Sequence, residues 1–377
     1  MKKKVLLGLS GGVDSAVAAI ELKKAGYDVT CAFMRNWDAL ANNDILGNPT
    51  ISNDVCPQEK DYMDSVNICN KLNVKLHRVD FIDEYWENVF QYFLKEYEKG
   101  RTPNPDIFCN KEIKFKAFLE KAMDLNCDYI AMGHYARVEY IDGVKRLLKG
   151  VDENKDQTYF LCQLSQAQID KSLFPIGDIK KPEVREIAVN NDLATATKKD
   201  STGICFIGER NFKNFLMNYL PAQPGNMVTV DGKVIGKHDG LMYYTIGQRK
   251  GLGIGGSNEY KSEAWFVCGK DLKKNELIVG QGHDSIYLES NWCTATDANW
   301  ISYKPLEGKE YTAKFRYRQK VIPVTVELKE NNEIVVRYPN CCRAVTPGQA
   351  VVIYEGEVCL GGAIIDKVYY NEERRKY

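Results

Sequence analysis

The six residues Ser10-Gly11-Gly12-Val13-Asp14-Ser15 constrain this chain more than any other feature. They follow a buried-type apolar run, Lys4 to Leu9, and precede a helix-forming run, Ala16 to Lys24, stopped by Gly26. Strand, glycine turn and helix in that order open a βαβ unit. Its first turn gathers backbone N–H groups and the positive end of a helix dipole at one point. Glycines let oxygen atoms approach the backbone, and serines add hydroxyl donors. The turn therefore suits phosphate. It lacks the Gly-Lys-Ser/Thr of the Walker type, so no lysine within it reaches a γ-phosphate.

The pattern that follows continues the α/β theme to about residue 207. Val29 to Met34 and Val74 to Asp80 read as strands, Glu59 to Leu72 as a helix, and Tyr129 to Met132 as a strand ending at Gly133-His134. Aromatics at helical spacing from Tyr85 to Tyr97 read as a core face. Two prolines in Thr102-Pro103-Asn104-Pro105 force extended backbone, with a helix expected from Lys114 to Leu125. Lys181-Pro182-Glu183 reads as a helix start. Arg35 to Cys56 is a long polar loop, and loops of that length in compact domains are often functional.

Beyond Arg210 the language changes to Val/Ile/Tyr-rich runs separated by Asp231-Gly232, Asp239-Gly240 and the stretch Gly251 to Gly256, which is a hairpin pattern. The expected fold is thus α/β. A doubly wound, mostly parallel sheet over 1–207 is followed by a small β-rich domain over 208–287 and a C-terminal β-barrel over 288–377, with strand-like runs such as Tyr311 to Tyr317. A chain of 377 residues is long enough for these three cores.

Lysines and arginines number 51 and acidic residues 51, so net charge by itself argues against a uniformly basic nucleic-acid coat. Split by region, residues 1–207 carry 28 basic and 31 acidic groups, and the remainder 23 and 20. Arg316-Tyr317-Arg318-Gln319-Lys320 interleaves cations with an aromatic, which fits either phosphate contact with base stacking or a solvated strand face. No run of ~18 apolar residues exists for a membrane span, and Val5 to Leu9 is too short for a secretory segment. The chain is expected to act in the cytoplasm as a monomer.

Twelve cysteines without a Cys-x-x-Cys pair fit a reducing compartment and give no support for a zinc ribbon or an iron–sulfur cluster. Cys31, Cys69, Cys127 and Cys162 sit in apolar-periodic stretches and read as core; Cys341-Cys342 is ambiguous. Cys109, after Asn104-Pro105-Asp106, and Cys205, in Asp200-Ser-Thr-Gly-Ile-Cys205, stand apart in polar segments. Cys109 reads as opening a helix at Asn110, where the dipole would favour its thiolate. Asp106 suits either proton transfer or capping of a turn.

The glycine–serine loop resembles the PP-loop of ATP pyrophosphatases. Together with Asn104-Pro105-Asp106 before Cys109, Gly133-His134-Tyr135-Ala136, Lys155-Asp156-Gln157, Cys205 and its flanks, Tyr244 to Arg249, Phe315 to Gln319 and Thr346 to Gln349, it is similar to the tRNA-specific 2-thiouridylases over essentially the whole chain. The resemblance implies an ATP-dependent tRNA sulfurtransferase that adenylates the C2 oxygen of the wobble uridine and then delivers sulfur. Gly8, Leu9, Ser10, Gly11, Gly12, Val13, Asp14 and Ser15 would bind ATP, with Met34 at the adenine and Gly133 completing the pocket. ATP would enter as its Mg²⁺ complex, helped by Asp14, with no resident metal or tightly bound cofactor.

By the same resemblance Cys205 would carry a persulfide, Cys109 would close a disulfide with it, and Asp106 would move a proton. Asn104, Pro105 and Asp106 would meet the flipped base. His134, Lys155, Asp156, Gln157, Arg316, Tyr317 and Gln349 would touch the anticodon arm. A sulfur donor protein, either a cysteine desulfurase or a relay carrier, is implied as a partner. Two other readings of the residues stay open: an amidating PP-loop ligase, and a noncatalytic RNA-binding protein with a structural nucleotide.

Overall fold

The first strand, β1 (Lys4–Gly8), alternates its side chains between two separate cores: Val5 and Leu7 face one, Leu6 the other. A strand buried on both sides must be central, and it is. In the computed structural model, which describes residues 2–52, 55–200, 205, 207–208, 210–254 and 263–376, β1 lies between β2 (Asp28–Arg35) and β4 (Tyr129–Ala131). β3 (Lys75–Asp80) and the short strand Ser172–Leu173 flank them, and every pairing is parallel. The strand order reverses between β1 and β4, so a crevice opens beyond their carboxyl ends, where doubly wound sheets bind ligands.

Helix α1 (Val13–Lys24) begins three residues earlier than expected. Its Ala16, Val17, Ala18, Ala19 and Ile20 are all buried because it is wedged between the sheet and the helix Lys181–Asn190. Gly26, with φ +86°, ends it as expected, and the backbone N–H groups of Gly26 and Tyr27 bond back to Lys23 and Leu22. The aromatics from 85 to 97 do form a core face, packing with Trp37, Phe215 and Tyr219. The helix expected from Lys114 begins nine residues earlier: helical winding starts at Pro105 and runs unbroken to Asp124, with its middle, Cys109–Ala117, wound as a π-helix. Pro105 at the first helical position and the Asn104 side chain, which accepts the Asp106 N–H, explain that start.

The region after 210 is β-rich as expected. Four strands, Trp265–Asp271, Glu276–Gln281, Gly225–Thr229 and Val234–His238, pair in that order. Six more, from Glu289–Trp300 to Val358–Tyr370, close into a barrel because the first and last of them pair. The barrel's sheet also takes in a hairpin of the first domain, Ala136–Ile141 and Val144–Lys149, through Leu148 against Val358. The expected strand Tyr311 to Tyr317 stops at Lys314, leaving Arg316 and Tyr317 in the turn that follows. Ser201 to Ile204 of the Cys205 motif and Gly255-Gly256 of the glycine stretch lie outside the described residues.

Candidate functional site

The turn after β1 is shaped by what its glycines avoid. Gly11 has φ +71°, and a Cβ there would stand 2.3 Å from the Asp61 carbonyl oxygen. A Cβ on Gly133, just past β4, would stand 2.9 Å from the Ser15 nitrogen. A Cβ on Gly8 would press on the side chains of Met132 and Met34. Thus Gly8, Gly11, Gly133 and Met34 converge on the reversal point of the sheet. The turn is braced internally: Ser10 N–H donates to Ser15 Oγ (3.2 Å), and Ser15 Oγ donates to the Gly12 carbonyl (3.3 Å).

A ring of ion pairs surrounds this turn, and of its cations the sequence marked only Lys155. Lys181 Nζ bonds both Asp14 carboxylate oxygens (2.7 and 2.8 Å) and Asp200 (2.8 Å), while Tyr135 donates its hydroxyl to Asp14 (2.7 Å). Asp14 is therefore engaged by Lys181 and Tyr135 while its side chain stays 31% exposed. Lys155 and Arg185 also pair with Asp200. Burial would push the Asp200 carboxyl up, but hydrogen bonds from Lys155 and Lys181 outweigh it and hold it at about 2. Lys198 caps the Gly11 carbonyl (3.0 Å) and pairs with Asp61 and Asp64. The signal available was Lys181 at a helix start beside a proline, which reads only as a cap.

Five residues beyond Asp200 comes Cys205, so the two lie within roughly 18 Å whatever the path of the chain between. Cys109 donates its S–H to Cys205 Sγ at 3.5 Å, across 96 positions of sequence. Cys205 N–H donates to Asp106 Oδ1 (3.3 Å), and Tyr85 donates its hydroxyl to the Cys205 carbonyl (3.0 Å). Burial pushes the Cys109 thiol well above its ordinary value. The hydrogen bond from Cys109 instead lowers Cys205, helped by the Lys114 ammonium. The expectation of a dipole-favoured thiolate at Cys109 is thereby corrected. Cys109 lies inside a helix, not at its start, and is fully buried, so it stays a thiol. Burial also raises the Asp106 carboxyl, and its oxygen serves Cys205 instead of capping the turn.

The remaining predicted positions divide. Lys155 and Tyr317 lie together on the same side as Asp200, Tyr317 donating to the Lys155 carbonyl (3.4 Å) and packing on Phe160. His134 is buried against Phe115 and Phe174 and kept neutral by burial. Asp156 is buried and paired with Lys314 (3.0 Å) of the C-terminal barrel. Gln157 accepts the Tyr135 N–H, and Gln349 donates to the Thr102 carbonyl. Arg316 donates to the carbonyls of Ile246 and Ala344 and to Thr346 Oγ1, tying a turn of the central domain to the barrel. The loop expected to be functional, 35–56, is anchored by a buried ion pair between Asp44 and Arg210. It walls a cavity of about 590 Å³ with Arg35, Cys56, Arg78, Ile207 and Gly208 among its lining.

Three domain families match in series: tRNA methyl transferase HUP domain over 3–209, tRNA methyl transferase PRC-barrel domain over 213–281, and aminomethyltransferase beta-barrel domain over 290–365. Relatives matched over nearly their whole length carry the name tRNA-specific 2-thiouridylase MnmA. The protein of Bacillus cytotoxicus is 57% identical over 99% of this chain and 97% of its own length. That of Acholeplasma laidlawii is 56% identical over the whole of both chains, and that of Lysinibacillus sphaericus 56% over 99% and 97%. The domain descriptions speak of methyl transfer, whereas a pair of thiols in contact has a direct use in sulfur transfer. With three domains in the right order, the loop, the thiol pair and this identity over its full length, the chain belongs to the tRNA-specific 2-thiouridylase family.

Proposed function

We propose that this enzyme replaces the C2 oxygen of the wobble uridine in tRNA anticodons with sulfur, using ATP. The observation that carries the reading is the contact of Cys109 with Cys205 beside Asp106, one short segment away from a phosphate-type turn. ATP, as its Mg²⁺ complex, lies against the turn from Gly8 to Ser15, with Met34 and Gly133 bounding the base and sugar. The uridine O2 attacks the α-phosphorus, the bond to the β-phosphate oxygen breaks, and pyrophosphate leaves. Lys181 and Lys198, already beside the turn, are placed to exchange their carboxylate partners for phosphate oxygens.

The outer sulfur of a Cys205 persulfide then attacks C2, and the C2–O bond breaks as AMP departs with the oxygen. Cys109 attacks the inner sulfur, the persulfide S–S bond breaks, and the outer sulfur remains on C2. Asp106, one helical turn before Cys109, accepts the proton that Cys109 loses. The Cys109–Cys205 disulfide left behind needs two electrons from a thiol reductant. Release of hydrosulfide before attack ends at the same disulfide. An anticodon loop is already partly unstacked, which lowers the cost of presenting its base to Asn104, Pro105 and Asp106. Lys155 and Tyr317 offer the arm a cation and a ring, and a sulfur donor protein in the cytoplasm loads Cys205 on a monomeric enzyme.

Nucleoside mass spectrometry of tRNA incubated with ATP and a persulfide donor tests this reading. Cys205→Ala and Cys109→Ala each abolish 2-thiouridine, while ATP-to-pyrophosphate turnover persists with tRNA. Thiolation at the normal rate by either variant would remove that cysteine from the chemistry.

A further inference from the structure

The helix that carries Asp106 and Cys109 also carries Lys114, to which sequence reasoning assigned nothing. In α-helical winding, a residue five positions beyond Cys109 would be turned away by about 140°. Here the segment Cys109–Ala117 is π-wound, and the Phe118 N–H bonds the Ile113 carbonyl five residues back. The wider turn brings position 114 back onto the side of position 109. π-helical segments of this sort concentrate at functional sites. Lys114 is thereby set against the thiols: its ammonium hydrogen-bonds the Cys205 sulfur and faces Cys109 and Asp106.

We propose that Lys114 is the fixed cation of the dithiol site, holding Cys205 as the thiolate that accepts sulfur while Cys109 stays a thiol, and then pairing with the persulfide anion. The proposal deepens the reading above and rests on Cys205 being the sulfur carrier. Among the described residues, the other titratable groups around Cys205 and Lys114 do not compete for this role. Tyr85, from the neighbouring helix, and His134 are both kept neutral by burial. Asp106 is of the wrong sign. Burial opposes the charge on Lys114, but Cys205, Cys109 and Asp106 outweigh it and keep the amine protonated above the usual lysine range.

In the loading step the Cys205 thiolate attacks the outer sulfur of a donor persulfide. A new S–S bond forms at Cys205, the donor's S–S bond breaks, and the donor's inner sulfur leaves as a thiolate. No electrons enter or leave this exchange. Its rate follows the thiolate fraction of Cys205, and a persulfide anion at this half-buried position is stabilised by a paired cation.

Iodoacetamide alkylation of Cys205 in the full-length protein, followed by peptide mass spectrometry across pH 5–10, reads the thiolate directly. In the unaltered protein the midpoint lies below the ordinary thiol value of about 8.5. Lys114→Met raises it by about one unit or more and slows persulfide loading at neutral pH about tenfold, since loading tracks thiolate fraction. Lys114→Arg, which keeps the charge, restores both. A midpoint unchanged in folded Lys114→Met overturns the proposal. If that variant does not fold, the unaltered protein decides, because a midpoint at or above 8.5 overturns it equally. Cys205→Ser separates the two readings. If it still thiolates tRNA, the carrier role falls, while the alkylation midpoint continues to judge Lys114.

Discussion

At the scale of single residues, the nucleotide turn is defined by space denied to side chains. Gly11 combines a left-handed backbone with a carbonyl where its Cβ would be. Gly11→Ala stores about 1–3 kcal/mol of backbone strain and must also push Asp61 away. The expected outcome is a fall of at least about tenfold in tRNA-dependent pyrophosphate release, one decade per 1.4 kcal/mol. Gly143→Ala is the control: its φ is +76° but its Cβ would meet open space, in the hairpin turn between Ile141 and Val144. A similar loss in that variant would refute the steric account. Gly11 could be marked in the sequence, because a turn between strand and helix advertises itself locally. Lys114, Lys181 and Lys198 could not, because a lysine's importance depends on which carboxylate or sulfur it faces.

At the scale of elements, burial decides charge. Lys270, in the strand Trp265–Asp271, is buried against the end of the helix Gln91–Glu98, donating to the Gly100 carbonyl, and desolvation lowers it to about 7. Between pH 7 and about 10.4, the unfolded chain keeps this proton and the folded chain does not. The unfolded state therefore binds more protons, and stability rises with pH across that window. Lys270→Met removes this slope. Urea unfolding at pH 7 and pH 9 measures it, and equal slopes in both proteins would refute the assignment. The same physics explains the error over Cys109. The proline-rich approach was legible as a break, but its role as the first turn of a helix depended on Asn104 capping Asp106.

At the scale of the whole molecule, the three domains are joined by buried polar contacts made with residues that read as RNA-binding in sequence. Lys314 in the barrel neutralises Asp156 in the first domain, and both are almost wholly enclosed. Lys314→Met leaves an uncompensated buried carboxylate and costs about 3–5 kcal/mol. Lys314→Met with Asp156→Asn costs less than the single change, since the orphaned charge is gone. Calorimetry on the two variants checks the order, and equal destabilisation would show that the pair is not coupled. Arg316 and Gln349 act at the same seams, so an effect of either on thiolation has to be read beside the effect on domain docking.

The zero net charge concealed this division of labour: some cations lock domains together, and others ring the phosphate-type turn. The amino-acid pattern alone determined the βαβ start, the phosphate turn, the change to β structure near residue 210 and the two cysteines worth watching. Each of these is written in near neighbours, through period, glycine placement and turn chemistry. Tertiary structure alone decided that Cys109 meets Cys205, that burial raises the one thiol while the hydrogen bond between them lowers the other, and that His134, Asp156 and Arg316 are packed into the protein. Those properties arise from desolvation and from contacts between residues far apart in sequence, which no local pattern encodes.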